Sequence, residues 1–167
     1  MTPVRILLPS LVAASVTVLG AAPVAPAPAP ASAPASATST PVARAAAAET
    51  YRNVHTGLCM DDSDGGGLRG WQCNGLNHQK WVVTRHADGT RQLSNMATGR
   101  CLDDSPAGLR TWPCNGLDYQ KWTVEKLTQS RIAFKNVKTG ACAADPGENK
   151  RLVALPCVTN SANQQWQ

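Results

Sequence analysis

Aromatic side chains are scarce in this 167-residue chain, which holds one Phe, two Tyr and five Trp. Branched aliphatic residues are few as well, so a small folded part has little surface to bury and needs disulfides, metals or partners to hold it. After the first 22 residues no apolar run approaches a membrane span. The longest basic run is Lys150-Arg151, without interleaved aromatics, which argues against a nucleic-acid partner. There is no C-x-x-C pair, no phosphate loop and no Ser-His-Asp order with a nucleophile turn. Asp62-x-Asp64 lacks the Gly and Glu positions of a calcium loop. The expectation is a non-enzyme with no cofactor and no metal.

Residues 1–22 carry one early positive charge, Arg5, then an apolar run over 6–19 and small residues at Gly20, Ala21 and Ala22, the layout of a secretory signal peptide. Cleavage after Ala22 would leave Pro23 first, so later small-residue sites up to Ala48 compete with it, and an uncleaved anchor is the alternative reading. Residues 23–48 read as a disordered spacer, because six Pro among Ala, Ser and Thr favour extended chain that cannot bury a core. From Glu49 onward fourteen Lys and Arg face eleven Asp and Glu, an interspersed balance of about +3 that names no charged partner. The 119 residues 49–167 suffice for one domain.

What the chain does have is repetition. Asn53-Val54-His55-Thr56-Gly57-Leu58-Cys59 recurs from Asn95 to Cys101 and from Asn136 to Cys142, as N-x-x-T-G-x-C with starts 42 and 41 residues apart. A second signature, Q-x-W, closes each unit at Gln79-Lys80-Trp81, Gln120-Lys121-Trp122 and Gln164-Gln165-Trp166. Two motifs in phase, three times over, make the repeat the architecture, with units of about 50–91, 92–132 and 133–167. Thr-Gly and Asn-Gly pairs mark tight turns between short stretches such as 80–84, and no window shows a helical stripe, so each unit reads as about four strands. Propellers need at least about four blades. Three β units point instead to an all-β, pseudo-threefold barrel capped by hairpins, with the three Q-x-W tryptophans in a shared core.

These motifs resemble the ricin-B-type β-trefoil lectin domain, and the resemblance covers about residues 50–167. It implies a carbohydrate-binding module with a glycan or polysaccharide as partner. In that family each unit can hold a shallow sugar pocket: an Asp two residues after the first Cys accepts sugar hydroxyls, and an aromatic two residues before the second Cys stacks on the ring. Polar residues at and before the Q-x-W Gln complete it. The resemblance assigns Asp61, Trp71, His78 and Gln79 to unit one, and Asp103, Trp112, Tyr119 and Gln120 to unit two. Unit three has Ala144 and Leu155 in place of the acid and aromatic, with Asn163 and Gln164 kept, and is expected to bind no sugar. The chain departs from the family at Arg69 and Arg110, where Gln is common two residues before the aromatic. It departs again at His78 and Tyr119, where Asn is common, and its segments between paired cysteines are short.

Each assignment has a structural alternative. Trp71 and Trp112 can be packing residues with Leu155 in the same core position; Asp61 and Asp103 can be turn acids accepting backbone N–H groups. Gln79 and Gln120 can be structural, since Gln164 persists in unit three. Asp62, Asp64 and Asp104 read as solvated turn residues, and Arg69 and Arg110 can meet an acidic sugar or the neighbouring Asp. Asp61 and Asp103 would lie on different lobes, too far apart to flank one glycosidic bond. Six cysteines allow fifteen connectivities, of which repeat symmetry selects Cys59–Cys73, Cys101–Cys114 and Cys142–Cys157. Disulfides suit an oxidising, extracellular setting. The expected product is a secreted, monomeric, non-catalytic trefoil binding glycans weakly at up to two sites. The alternative is a trefoil with decayed sugar sites acting as a protein-interaction or inhibitor module.

Overall fold

A computed structural model describes residues 47–148 and 150–167. The expected leader, and the expected linker up to residue 46, lie outside these residues. Ala48, the last residue assigned to the linker, pairs with Val82.

Eleven short strands follow one another: β1 (Ala48–Glu49), β2 (Cys59–Ser63), β3 (Gly67–Trp71), β4 (Trp81–Arg85), β5 (Arg91–Asn95), β6 (Cys101–Ser105), β7 (Gly108–Trp112), β8 (Trp122–Lys126), β9 (Ile132–Asn136), β10 (Cys142–Ala144) and β11 (Val153–Leu155). Antiparallel pairing runs β1-β4-β5-β8-β9. Trp166 then bridges Ile132 on one side and Asn53 on the other, which closes the barrel. The hairpins β2–β3, β6–β7 and β10–β11 cap it. Repeats one and two supply four strands each; in repeat three the fourth is reduced to the Trp166 bridges. This is the expected β-trefoil, and no α-helix occurs among the described residues.

The scarce large side chains are spent where the three repeats meet. Trp81, Trp122 and Trp166 have no exposed surface. Each indole Nε1–H donates to the carbonyl of the residue following the first cysteine of its own repeat: Met60 (3.0 Å), Leu102 (3.0 Å) and Ala143 (3.1 Å). A buried indole thus keeps its one donor satisfied while its rings fill the axis. Tyr51, Leu93 and Phe134 form a second layer of equivalent positions, and Leu68, Leu109 and Leu152 plug the hairpin cap. Burial first, and then the hydrogen bond to Glu49, push the Tyr51 hydroxyl well above the usual phenol range.

The N-x-x-T-G-x-C motif locks repeat to repeat. Asn53 Oδ1 accepts the N–H groups of His55 and Thr56, while its Nδ2 donates to the Asn163 carbonyl at 2.8 Å. Asn95 reaches the His78 carbonyl and Asn136 the Tyr119 carbonyl in the same way. The following Gly holds a positive φ of +70°, +69° and +72° in the three units, a conformation open to glycine at little cost. That turn aims the Thr hydroxyl across the boundary. Thr98 donates to Asp62 and Thr56 to Asp145, both at 2.5 Å, and Thr139 donates to Asp104.

Here the structure corrects the sequence reading of Asp62 and Asp104 as solvated. Both are buried. Asp62 also takes Arg100 Nε (3.1 Å), Arg100 Nη2 (2.9 Å) and Thr111 Oγ1 (2.7 Å). Only Asp64 is solvated, bonded to Arg100 Nη1 at 3.1 Å. At Asp104 the residue matching Arg100 is Ala141. Burial lifts its carboxyl above the usual range, the Thr139 bond opposes this, and the Asp103 charge adds to it. A carboxyl whose folded-state pKa exceeds its unfolded value holds its proton more tightly when folded, so stability falls as pH rises through that window. Asp104→Asn keeps an acceptor for Thr139 without the titration. The variant is expected to melt higher than the parent at pH 7, with the gain vanishing below the ordinary aspartate pKa. A gain equal at pH 7 and pH 3 would contradict this account.

Candidate functional site

The strand register builds the same row of side chains twice. Asp61 lies directly opposite Arg69 across β2–β3, and Asp103 opposite Arg110 across β6–β7. Trp71 and Trp112 lie two residues further along β3 and β7, on the same strand face as the arginines. Arg69 Nε donates to Asp61 Oδ1 at 3.2 Å, and its guanidinium carbon lies 4.0 Å from the Trp71 ring centroid. The second copy measures 3.1 Å and 4.1 Å. A guanidinium over an indole face, with a carboxylate on its edge, fixes the ring at modest entropic cost. Repeat three has Ala144, Val153 and Leu155 in the same register, so all three members are replaced together.

The remaining carboxylate oxygen goes to the Q-x-W glutamine. Gln79 Nε2 donates to Asp61 Oδ2 at 3.3 Å and to the Gln72 carbonyl at 2.8 Å, while its Oε1 accepts the Asn74 N–H at 2.9 Å. Gln120 does the same with Asp103, Pro113 and Asn115. Gln164 keeps only the backbone pair, Pro156 and Val158. Each amide therefore clasps the residues on either side of the second cysteine in its repeat, and Gln79 and Gln120 are fully buried. All three disulfides join the pairs chosen by repeat symmetry.

Asp61 and Asp103 are each 2% exposed, with both oxygens taken by side-chain N–H donors rather than by backbone. Trp71 and Trp112 are 41% and 47% exposed, which removes them from the core. His78 Nδ1 pairs with the Asp62 carbonyl at 2.9 Å, and Tyr119 is half-buried with no side-chain hydrogen bond among the described residues. No hydrogen bond joins either of them to the Asp–Arg–Trp row. The organising arginines were the residues that sequence reasoning undervalued. Their signal was present: Arg, like Asp and Trp, occurs in repeats one and two and is lost in repeat three.

Both exposed tryptophans border clefts made with another repeat. Trp71 lines one with Leu58, Gln72 and Glu148, and Trp112 lines one with Asp64, Arg100 and Arg151. Among the described residues no group of three or more His, Cys, Asp or Glu is arranged to hold a metal ion.

No curated protein sequence matches this chain. Among solved structures it is similar to the designed threefold-symmetric protein ThreeFoil, with a TM-score of 0.63 at 19% identity over 71% of this chain and 94% of that one. It is similar also to a GlcNAcα1-4Gal-releasing endo-β-galactosidase from Clostridium perfringens, with a TM-score of 0.64 at 16% identity over 72% of this chain. A Polyporus squamosus lectin bound to a Neu5Acα2-6Galβ1-4GlcNAc epitope gives 0.62 at 15% identity over 74% of this chain. The chain spans only 31% and 49% of the length of those last two proteins. At such identities the likeness is one of fold. The family match is more specific and spans residues 47–166, so the chain belongs to the ricin-type beta-trefoil lectin domain family.

Proposed function

We propose that the chain is a secreted, monomeric, non-catalytic carbohydrate-binding module whose two glycan sites are centred on Trp71 and Trp112. The carrying observation is the split among five tryptophans. Three are sealed in the core, whereas Trp71 and Trp112 keep 41% and 47% of their surface exposed and are held in place by an arginine apiece. An ordered, half-exposed indole offers a flat apolar face to the C–H side of a pyranose. Asp61 and Asp103 are buried with both oxygens bonded internally, so their part is to orient Arg69 and Arg110, whose Nη groups remain to donate to sugar oxygens. Gln79 and Gln120 support the acids from behind. His78 and Tyr119 complete the rim of each site, and repeat three is silent. The three disulfides suit an oxidising compartment, as the expected leader at 1–22 does. Shallow single-sugar sites bind weakly, and two of them on one polymer gain affinity by avidity.

The burial of both carboxylates, each 2% exposed and bonded through both oxygens to side chains of its own repeat, favours the second reading, a trefoil whose sugar sites have decayed and whose surface binds a protein. A glycan and polysaccharide array separates the two. The parent is expected to bind, Trp112→Ala to lower the avidity by at least tenfold, and the Trp71→Ala/Trp112→Ala double variant to abolish binding with an unchanged circular dichroism spectrum. Parental binding that survives in the folded double variant would remove both tryptophans from the site. A parent that binds nothing would leave the protein-interaction reading.

A further inference from the structure

Repeat three lacks the Asp–Arg–Trp row but holds an arginine where the other repeats have glycine. In hairpin position Arg151 matches Gly67 and Gly108, one residue before the plug residues Leu152, Leu68 and Leu109. Its backbone bridges Arg69. Its guanidinium reaches over the first hairpin turn, where a side chain at Gly67 would meet it at 3.7 Å, while Arg69 lies against Gly66 next door. Absence of a side chain at Gly66, where a Cβ would collide with Arg69 Nη1, lets Arg69 share this turn with Arg151, so two like charges converge on it.

The cleft between the first and second hairpins gathers Arg100, Arg110 and Arg151 beside Trp112, with Asp64 as its one carboxylate. These charges are not equally committed. Arg100 is consumed by Asp62, Asp64 and the Ser63 carbonyl. Arg110 uses Nε for Asp103 and lends its face to Trp112, leaving its Nη groups without a hydrogen bond among the described residues. Arg151 is exposed and forms no side-chain hydrogen bond or ion pair among the described residues. Arg110 is already paired with Asp103, and Asp64 is exposed with one oxygen bonded to Arg100, so Arg151 is the cation of this cleft that has no acid partner among the described residues, with the spare Nη donors of Arg110 beside it. Guanidinium Nη pairs match the spacing of carboxylate and sulfate oxygens.

We propose that this cleft binds an anionic oxygen group carried by a glycan, a uronate carboxylate or a sulfate ester, between the Nη groups of Arg110 and Arg151, with the sugar ring against Trp112. The inference rests on the carbohydrate reading above and narrows its substrate class to acidic polysaccharides.

The test titrates the full chain at low salt with a uronic-acid oligosaccharide, its carboxyl-reduced neutral counterpart and a sulfated form of the neutral one, read by calorimetry. At least one acidic ligand is expected to bind tenfold or more tighter than the neutral one, and which of the two does so identifies the group. Arg151→Gln, a change at an exposed residue, is expected to erase most of that preference while leaving the neutral affinity and the melting temperature unaltered. Added salt should weaken the acidic complex only. Neutral and acidic ligands binding equally would overturn this inference and spare the carbohydrate reading. So would a preference that persists in Arg151→Gln. Failure of all three ligands, in a protein that also binds nothing on the array, would overturn both.

Discussion

Reduction of the three disulfides is expected to unfold the trefoil at room temperature. The bridges close loops of 14, 13 and 15 residues, each tying the first residue of a hairpin to the chain leaving it. In the chain-entropy account each is worth about 3 kcal/mol, so the set supplies on the order of 9 kcal/mol. Native domains have only about 5–15 kcal/mol in total, and a chain this poor in aromatic and branched residues belongs at the low end without its bridges. Replacing one bridge, as Cys101→Ser with Cys114→Ser, calibrates the claim. The melting temperature should drop by on the order of 10 °C, from a loss of about 3 kcal/mol spread over a domain of this size. Thermal melts of oxidised and reduced protein check the whole; transitions within a few degrees of each other would show that the core is sufficient alone.

Among single substitutions, Trp122→Ala is expected to do the most damage. The side chain is fully buried at the barrel axis, and truncating a buried Trp costs about 3–5 kcal/mol in transfer and cavity terms. It also strands the Leu102 carbonyl, which now accepts the indole N–H at 3.0 Å, adding about 1–3 kcal/mol for an unsatisfied buried acceptor. Trp112→Ala removes the same atoms from an exposed strand position and forfeits chiefly the Arg110 contact, about 1 kcal/mol. Urea titrations of the two variants should differ by several kcal/mol. Equal losses would place Trp112 in the core and undo the division of labour among the tryptophans.

That division was half legible in the sequence. Trp81, Trp122 and Trp166 declare a core because they recur in phase with Gly57, Gly99 and Gly140, and a position common to three repeats is one the shared fold needs. The six cysteines pair by the same symmetry. Trp71, Trp112 and Leu155 left two readings open, a stacking face lost in repeat three or a core position that Leu155 also fills, and the 41% and 47% exposure of the two tryptophans separates them. What repetition cannot convey is which partner a side chain meets across a repeat boundary. Asp61 and Asp62 are neighbours in an acidic stretch that looks like an exposed turn, yet strand alternation sends them to opposite faces. One meets Arg69 and Gln79 within its repeat, and the other meets Thr98, Arg100 and Thr111 from the next. The Arg69–Trp71 stack had a local signature, two residues apart on one strand with Asp61 opposite. Reading it needed the register, which the short turn alone did not fix.

The barrel is sewn shut between residues far apart in the chain: Arg52 and Gln167 exchange both backbone hydrogen bonds, at 2.8 and 2.9 Å, and Thr56 joins Asp145 just as Thr98 joins Asp62. The third-to-first boundary is thus chemically equivalent to the two that the polypeptide crosses covalently. Topologically the molecule is a circle with one cut, and the place of the cut is arbitrary. The surface turn at Asp88–Gly89, between β4 and β5, would serve as an opening as well as the present one once a linker joins residue 167 to the start of β1 at Ala48. Such freedom to permute means that what is attached at either end of this domain can be exchanged or relocated without disturbing the two tryptophans.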